Sequence, residues 1–291
     1  MGALEETKFI LNKYHIKAEK SLGQNFLIDD EIIEKTVESA EISNNDVAIE
    51  IGPGLGTLTS RLLEKAKKVI AIELDKKMIS ILNERFKLYE NFELINEDIL
   101  KVDLKSIIKE EKQNGAKDVK IVANLPYYIT TPIIMKLLED RLDIESITVM
   151  VQKEVAQRLI AAPGGKFAGA ITYSVAYYSE PKKIIEVSNQ SFIPSPEVDS
   201  EVIKLSLRKQ PQVIVNDEEK FFKLIKFSFM QRRKTFLNGV SNSGFVDKQK
   251  LKEILEKLQI NENIRGENLT LKQFAQIANL IWIIFCKIVT K

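Results

Sequence analysis

Short apolar runs alternate with longer stretches of helical periodicity from residue 46 onward, and this alternation restricts the possible folds most strongly. Five runs have the apolar and β-branched composition of buried strands: Val47–Ile51, Val69–Leu74, Phe92–Ile95, Val119–Ala123 and Ser146–Val151. Strands that alternate with helices predict βαβ units and a doubly wound parallel sheet. Two further runs, Lys182–Val187 and Ser200–Leu207, are expected to close it. The sequence therefore predicts an α/β fold with a mostly parallel seven-stranded sheet.

The character of the chain changes near Pro211, where a linker-like stretch is followed only by helical patterns. The helices predicted in this part are Glu218–Met230, Asp247–Leu258 and Thr270–Ile284. Before the sheet, helical patterns run up to about Lys20 and from about Asp30 to Ala40. We therefore expect residues 1–210 to form one domain, with an N-terminal helical extension, and residues 211–291 to form a small all-helical domain.

The chain has one cysteine, Cys286, and one histidine, His15, among its 291 residues. An internal disulfide is therefore impossible, a reducing cytoplasm fits, and a histidine-based triad or metal site is not expected. The apolar tail from Leu280 to Val289 is interrupted by Lys287. It is shorter than the roughly 20 apolar residues of a membrane span, so we expect a packed terminal helix. Nothing in the sequence requires more than a monomer.

Charge is unevenly distributed along the chain. Residues 209–291 carry 15 Lys and Arg against 8 Asp and Glu, whereas the remainder has a net charge of −5. A basic end on a nearly neutral chain favours docking of a polyanion. The cluster of Arg232, Arg233 and Lys234 is the best candidate for contact with RNA phosphates. A solvated surface, or charges that suit a helix C-terminus, would explain the same pattern.

Glycines follow the first predicted strand in the sequence EIGPGLG, at Gly52, Gly54 and Gly56. Glycine suits a sharp turn against which a ligand presses. Acidic residues stand where the next two strands end, with Glu73 placed to bind ribose hydroxyls and Asp98 to bind an adenine amine. Because the carboxyl ends of parallel strands form the ligand crevice of open α/β sheets, these positions together predict a nucleoside site. A plain tight turn with a capping acid is the alternative.

The fourth strand leads into Asn124-Leu125-Pro126-Tyr127. The side-chain carbonyl of Asn124 and the backbone carbonyl of Leu125 can each accept a hydrogen bond from an amine. Pro126 restricts the loop, and the ring of Tyr127 offers a stacking face for a base. Such a loop can hold the weakly nucleophilic amine of adenine in line with a methyl donor, without a strong general base. A simple strand-to-helix turn is the alternative.

The G-x-G-x-G loop, with acids after the second and third strands, resembles that of class I S-adenosylmethionine-dependent methyltransferases. The N-L-P-Y loop resembles the signature of adenine-N6 methyltransferases. The chain further resembles the KsgA (RsmA) family in SLGQNFL (Ser21–Leu27), NLPYYIT, SFIPSPEVDS (Ser191–Ser200) and FMQRRKTFLN (Phe229–Asn238). This resemblance implies a Rossmann-like fold, S-adenosylmethionine as methyl donor, and dimethylation of two adjacent adenines near the 3′ end of 16S (small-subunit) ribosomal RNA.

The resemblance also implies roles for individual residues. Those expected to contact the donor are Asn25, Leu27, Gly52, Glu73, Asp98 and Asn124. Phe192 is expected to supply a second aromatic face opposite Tyr127. The target base must reach the site unpaired or flipped out, because base pairing otherwise engages its amine.

Three alternative functions share parts of this pattern. An Erm-type methyltransferase of large-subunit ribosomal RNA has nearly the same cofactor and catalytic motifs, and mapping which RNA accepts the methyl separates the two. A ribosome-assembly factor could use binding more than catalysis, which an Asn124→Ala variant would test. DNA adenine methyltransferases usually carry an acidic residue at the position of Asn124, so this function is disfavoured.

Overall fold

The computed structural model describes residues 2–19, 22–231 and 233–289, with side chains described as far as Ile283. Its helices are α1 (Ala3–Lys13), α2 (Asp30–Ser39), α3 (Thr57–Lys65), α4 (Lys76–Phe86), α5 (Leu104–Gln113), α6 (Thr130–Glu139), α7 (Lys153–Ile160), α8 (Ala170–Tyr178), α9 (Glu218–Met230), α10 (Phe236–Ser241), α11 (Lys248–Lys257) and α12 (Leu271–Val289). Its strands are β1 (Phe26–Leu27), β2 (Val47–Ile51), β3 (Lys68–Glu73), β4 (Phe92–Asn96), β5 (Val119–Asn124), β6 (Ser146–Gln152), β7 (Ser179–Val187), β8 (Phe192–Ile193) and β9 (Ser200–Leu207).

Seven of these strands form one sheet, in the order β4-β3-β2-β5-β6-β9-β7. Neighbouring strands from β4 to β6 pair in parallel, and β9 pairs antiparallel with β6. The predicted α/β fold with a mostly parallel seven-stranded sheet is therefore confirmed. The strand order reverses between β2 and β5, because the chain adds β3 and β4 on one side and then returns to the other. Open α/β sheets bind ligands at such a switch point.

The central strand β2 shows why the sequence forms a buried parallel sheet. All five of its residues are buried, and β-branched Val47, Ile49 and Ile51 pack well on a pleated surface. Ile51 lies opposite Ile72 of β3 and Ala123 of β5, so the three strands end at nearly the same level. The residues that follow them are consequently brought to one edge of the sheet.

A short second sheet has two strands: β1 pairs antiparallel with β8, with Leu27 opposite Phe192. The N-terminal helix α1 ends at Lys13, earlier than the predicted end near Lys20. The chain leaves the helix because His15 adopts a left-handed conformation, with φ of 50°. Residues 22–25 lie at the end of the central strands, where they line the same cavity as the residues that follow β2 and β5.

The chain divides into two compact units, residues 1–156 with 181–207 and residues 157–180 with 208–291. The second unit thus contains residues 157–180, which the sequence predicts to belong to the first domain. In this unit the ring of Tyr173 packs against Phe229 and Phe274, and its hydroxyl donates to the carbonyl of Leu269 at 2.6 Å. Among the residues that the structure describes, no helix is long and apolar enough to cross a membrane.

Candidate active site

A cavity opens at the carboxyl ends of β2, β3 and β5, and the residues that line it all belong to the first unit. Its empty space is about 1240 Å³ when its open mouth is counted. The predicted site residues that line it are Asn25, Leu27, Gly52, Gly54, Glu73, Asp98, Asn124, Leu125, Pro126 and Tyr127. Motifs that lie up to a hundred positions apart in sequence therefore meet in one place.

The glycine turn forms the floor of this cavity. Gly52 and Gly54 have φ values of 69° and 57°, in the left-handed region that disfavours residues with a side chain. The N–H of Gly52 donates to the carbonyl of Ile72 at 2.9 Å, which ties the turn to β3. A Cβ atom on Gly52 would lie 4.0 Å from the carbonyl oxygen of Asn124. The turn therefore presents bare backbone close to the loop that follows β5.

Glu73 is oriented at the tip of β3 by three backbone N–H groups. Its Oε2 accepts from Gly54 at 3.2 Å, and its Oε1 accepts from Leu74 at 2.8 Å and from Asp75 at 2.9 Å. Burial raises the pKa of this carboxyl, against the opposing effect of the three hydrogen bonds. A carboxylate has about four acceptor positions, so an acceptor position on Oε2 remains available to a ligand hydroxyl.

Asp98 follows β4, the strand that pairs with β3, and is partly exposed to the cavity. Its Oδ1 accepts the N–H of Leu100 at 3.0 Å. This bond fixes the side chain while Oδ2 accepts no hydrogen bond from the described residues. Glu73 and Asp98 thus present two oriented carboxylates along the same wall.

The loop after β5 holds its polar groups toward the cavity. The Nδ2 of Asn124 donates to the backbone carbonyl of Asn25 at 3.3 Å, which leaves its Oδ1 as an acceptor. The N–H of Leu125 donates to the carbonyl of Met150 at 3.2 Å, and the Leu125 side chain is buried. The loop is therefore anchored on one side to β6 and on the other to the N-terminal segment.

Tyr127 is half-buried, with its hydroxyl oxygen 2.7 Å from the Oγ of Ser200. Burial raises the pKa of its phenol, so the ring is neutral at physiological pH. Phe192 does not line the cavity, because only 3% of it is exposed and it belongs to the hydrophobic core. Its role as a second aromatic face opposite Tyr127 stays a prediction.

Gly56 also lies outside the cavity lining. It precedes α3 with φ of 82°, and a Cβ atom here would lie 2.6 Å from the ring of Phe86. Real Cβ contacts are not this short, so a substitution would force the helix and the ring apart. Packing under the start of α3 explains glycine at this position, and contact of Gly56 with the donor stays a prediction.

Sequence reasoning missed Glu50, which lies on β2 behind the glycine turn and is 1% exposed. The hydroxyl of Thr59 donates to its Oε2 at 2.6 Å. Burial, and to a smaller extent the neighbouring Glu73, raise the pKa of Glu50 to about 8. Glu50 is therefore mainly neutral at pH 7, which avoids a second negative charge beside Glu73. An acid within the apolar run VAIEI was the only sequence signal.

Replacing Glu50 with glutamine is expected to flatten the pH dependence of stability. From pH 4.5 to about 8 the unfolded chain ionises at this position while the folded protein keeps its proton, so the free energy of unfolding falls as the pH rises. The loss between pH 5 and pH 8 is on the order of 3 kcal/mol. Urea unfolding at several pH values measures it, with exposed Glu38→Gln as control. Equal pH slopes for Glu50→Gln and the unmodified protein would contradict the assignment.

The predicted RNA-binding cluster belongs to the second unit, whereas the residues that line the cavity belong to the first. Arg233 and Lys234 are exposed between α9 and α10, whereas Arg232 lies outside the described residues. No group of three or more acidic, histidine or cysteine side chains in the described part of the chain could hold a metal ion.

Residues 15–282 match the family model described as ribosomal RNA adenine dimethylase. The chain is 49% identical over 284 residues to a ribosomal RNA small subunit methyltransferase A from Lachnoclostridium phytofermentans, covering 97% of each chain. It is 47% identical over 275 residues to the protein of the same name from Clostridioides difficile, covering 94% of each. These similarities extend through both compact units.

Two solved structures show the same fold. A dimethyladenosine transferase from Plasmodium falciparum matches with a TM-score of 0.73 and 29% identity, covering 90% of this chain and 97% of that one. The 23S rRNA methyltransferase ErmE matches with a TM-score of 0.67 and 22% identity, covering 88% of this chain and 99% of that one. At the latter identity the likeness concerns the fold alone.

Proposed function

Because this chain belongs to the ribosomal RNA adenine dimethylase family, we propose that it transfers methyl groups from S-adenosylmethionine to the N6 amines of two adjacent adenines near the 3′ end of 16S ribosomal RNA. The observation that carries the proposal is the meeting of the glycine turn, Glu73 and the Asn124 loop in one cavity. The small ribosomal subunit is the corresponding partner. The chain is proposed to act as a monomer, because nothing in its sequence requires a second copy.

The cavity has the chemical character that a sulfonium nucleoside requires. Bare backbone at Gly52 allows close approach, and the oriented carboxylate of Glu73 suits the ribose. Asp98 suits the adenine amine, while exposed Leu74 offers an apolar surface to the adenine ring. Asn25 and Leu27 border the same space from the N-terminal segment. When bound there, the donor supplies an electrophilic methyl group.

The Asn124 loop is proposed to hold the target amine. The Oδ1 of Asn124 and the carbonyl of Leu125 accept one N–H each, which directs the nitrogen lone pair out of the adenine ring plane. The amine nitrogen then forms a bond to the methyl carbon as the carbon–sulfur bond breaks, and the electron pair stays on sulfur. The methylated nitrogen loses its proton afterwards, to water, so no strong base is needed. Pro126 and Tyr127 limit the positions that the base can take.

The choice of small-subunit RNA is supported by the degree of similarity. Proteins named ribosomal RNA small subunit methyltransferase A are 46–49% identical to this chain over nearly its whole length. ErmE, whose name refers to 23S rRNA, is 22% identical. The N-terminal segment and the loop after β5, which form one wall of the cavity, both lie within the matched residues.

The proposal is tested by offering the purified protein labelled S-adenosylmethionine with small or large ribosomal subunits that lack the modification. Label is expected in small-subunit RNA as N6,N6-dimethyladenosine after digestion to nucleosides. Label confined to 23S RNA would favour the Erm-type alternative. Absence of label from both subunits would refute the proposed reaction.

Arg233 and Lys234 are proposed to contact RNA phosphates. The double variant Arg233→Ala, Lys234→Ala is expected to weaken binding to small subunits. The slope of log affinity against log salt should become shallower by about 1 to 2, because binding releases fewer counterions when fewer phosphates are contacted. Filter binding at several salt concentrations measures this slope. Lys248→Ala, Lys250→Ala removes the same charge from exposed positions of α11 and is the matched control. Equal slopes for the two double variants would contradict the role.

A further inference from the structure

Two consecutive tyrosines after Pro126 differ in their surroundings. Tyr127 is held by Ser200 and is half-buried, whereas Tyr128 is 59% exposed and lines the mouth of the cavity. Among the described residues, Leu74 and Tyr128 are the only large exposed hydrophobic side chains that line this cavity. Leu74 adjoins Glu73, on the side proposed for the donor. Tyr128 is therefore the exposed aromatic ring on the side of Asn124.

The ring of Tyr128 is supported from behind by the N-terminal segment. A Cβ atom on Gly23 would lie 3.3 Å from Cδ1 of Tyr128 and 3.4 Å from Cβ of Pro126, so the Gly23 backbone lies close against both residues. Gly23 has φ of 63°, which favours glycine at this contact. The same segment accepts the Asn124 hydrogen bond through the carbonyl of Asn25. The N-terminal segment thus contacts both the Tyr128 ring and the Asn124 amide, and 59% of Tyr128 remains exposed.

From this placement we propose that Tyr128 is the stacking platform for the nucleotide next to the target adenine. The inference rests on the proposed function, since it requires RNA as the substrate. An exposed aromatic ring backed by protein offers its free surface to any unpaired base, because every base has a π face. Tyr127 lies deeper, beside the amide that holds the target. Phe192 is buried and does not line the cavity, so Tyr128 is the exposed aromatic ring of the cavity lining.

This role predicts a defect in RNA binding and not in donor binding. Tyr128→Ala is expected to raise the KM for unmethylated small subunits by about 5- to 150-fold, the fold-change that corresponds to the loss of one base–aromatic stack. Tyr128→Phe and Tyr128→Trp are expected to stay within about threefold of the unmodified protein, because each keeps a ring. Tyr89→Ala is the matched control, since Tyr89 is 44% exposed on the same unit and does not line the cavity.

Stacking is observed directly with an RNA oligonucleotide that carries 2-aminopurine beside the target adenine. Its fluorescence is expected to be quenched on binding to the unmodified protein and to Tyr128→Phe, and to stay unquenched with Tyr128→Ala. Affinity for S-adenosylhomocysteine and thermal unfolding should be the same in all variants, which shows that each has folded.

The inference is overturned if Tyr128→Ala keeps the KM and the quenching of the unmodified protein, or if Tyr128→Phe loses as much as Tyr128→Ala. A selective loss of donor affinity in Tyr128→Ala would also overturn it, because the ring would then belong to the donor site. If the unmodified protein transfers no methyl group to small subunits, the proposed function fails. If it does transfer and Tyr128→Ala transfers equally well, only this inference fails.

Discussion

Methyl transfer by an Asn124→Ala variant at saturating donor is expected to be about 1000-fold slower than by the unmodified protein. Loss of one preorganised hydrogen-bonding group from an active site typically reduces the rate by about 100- to 1000-fold, and here misplacement of the amine adds to the loss. The Nδ2 bond to the Asn25 carbonyl is also lost, so the N-terminal segment is no longer tied to the loop. Single-turnover transfer to small subunits at saturating donor measures the rate.

Asn44→Ala is the matched control for this variant, because Asn44 is exposed in a turn before β2 and does not line the cavity. Asn124→Asp adds a further comparison, since aspartate keeps an acceptor but cannot donate to the carbonyl of Asn25. A transfer rate for Asn124→Ala within tenfold of the unmodified protein would show that the amide does not hold the reacting amine.

Glu73→Ala is expected to weaken binding of S-adenosylhomocysteine by about 10- to 100-fold. A hydrogen bond from a ribose hydroxyl to a carboxylate contributes about 1.5–3 kcal/mol, and its loss accounts for this range. The N–H groups of Gly54, Leu74 and Asp75 also lose their acceptor, so the glycine turn is held less firmly. Isothermal titration calorimetry measures the affinity.

Glu90→Ala serves as the control for this variant, since Glu90 is an exposed acid just before β4. Glu73→Gln keeps one acceptor oxygen and is expected to fall between the two. Equal donor affinity in Glu73→Ala and Glu90→Ala would remove Glu73 from the donor site, whatever the transfer rates.

Local patterns were sufficient to predict the central sheet and the tips of its strands. The runs at 47–51 and 200–207 coincide with β2 and β9, because buried strands need continuous apolar or alternating sequence and turn residues at each end. The glycine turn, Glu73 and Asn124 follow from the same reasoning. Residues placed directly after parallel strands must share one edge of the sheet, and the structure brings them to a common cavity.

The surroundings of individual site residues depend on packing between distant segments. Phe192 and Gly56 occur in motif positions, but Phe192 is buried in the hydrophobic core and Gly56 packs against Phe86 of α4. In the sequence, Glu50 is one polar residue in an apolar strand, and only the structure shows that it is buried. The ring of Tyr128 lies against Gly23, more than a hundred residues earlier in the chain. Periodicity carries no information on such contacts.

The assignment of residues 157–180 to the second unit has the same origin. Helix α8 is buried from Thr172 to Tyr178. It has no polar face from which the sequence would show which side packs against a neighbour. Its aromatic residues pack on α9 and α12, as the contacts of Tyr173 with Phe229 and Phe274 show. Composition does not change where the chain passes from the first unit to the second at residue 157. The sequence alone therefore predicts one boundary, near Pro211.

A crystal structure of the protein with S-adenosylhomocysteine bound tests most directly whether this cavity is the donor site. We expect the ribose hydroxyls within hydrogen-bonding distance of the Glu73 carboxylate, the adenine amine near Asp98, and the sulfur facing Oδ1 of Asn124 across the space left for the target amine. Binding of the nucleoside away from the glycine turn, or with its sulfur pointing away from Asn124, would contradict the account.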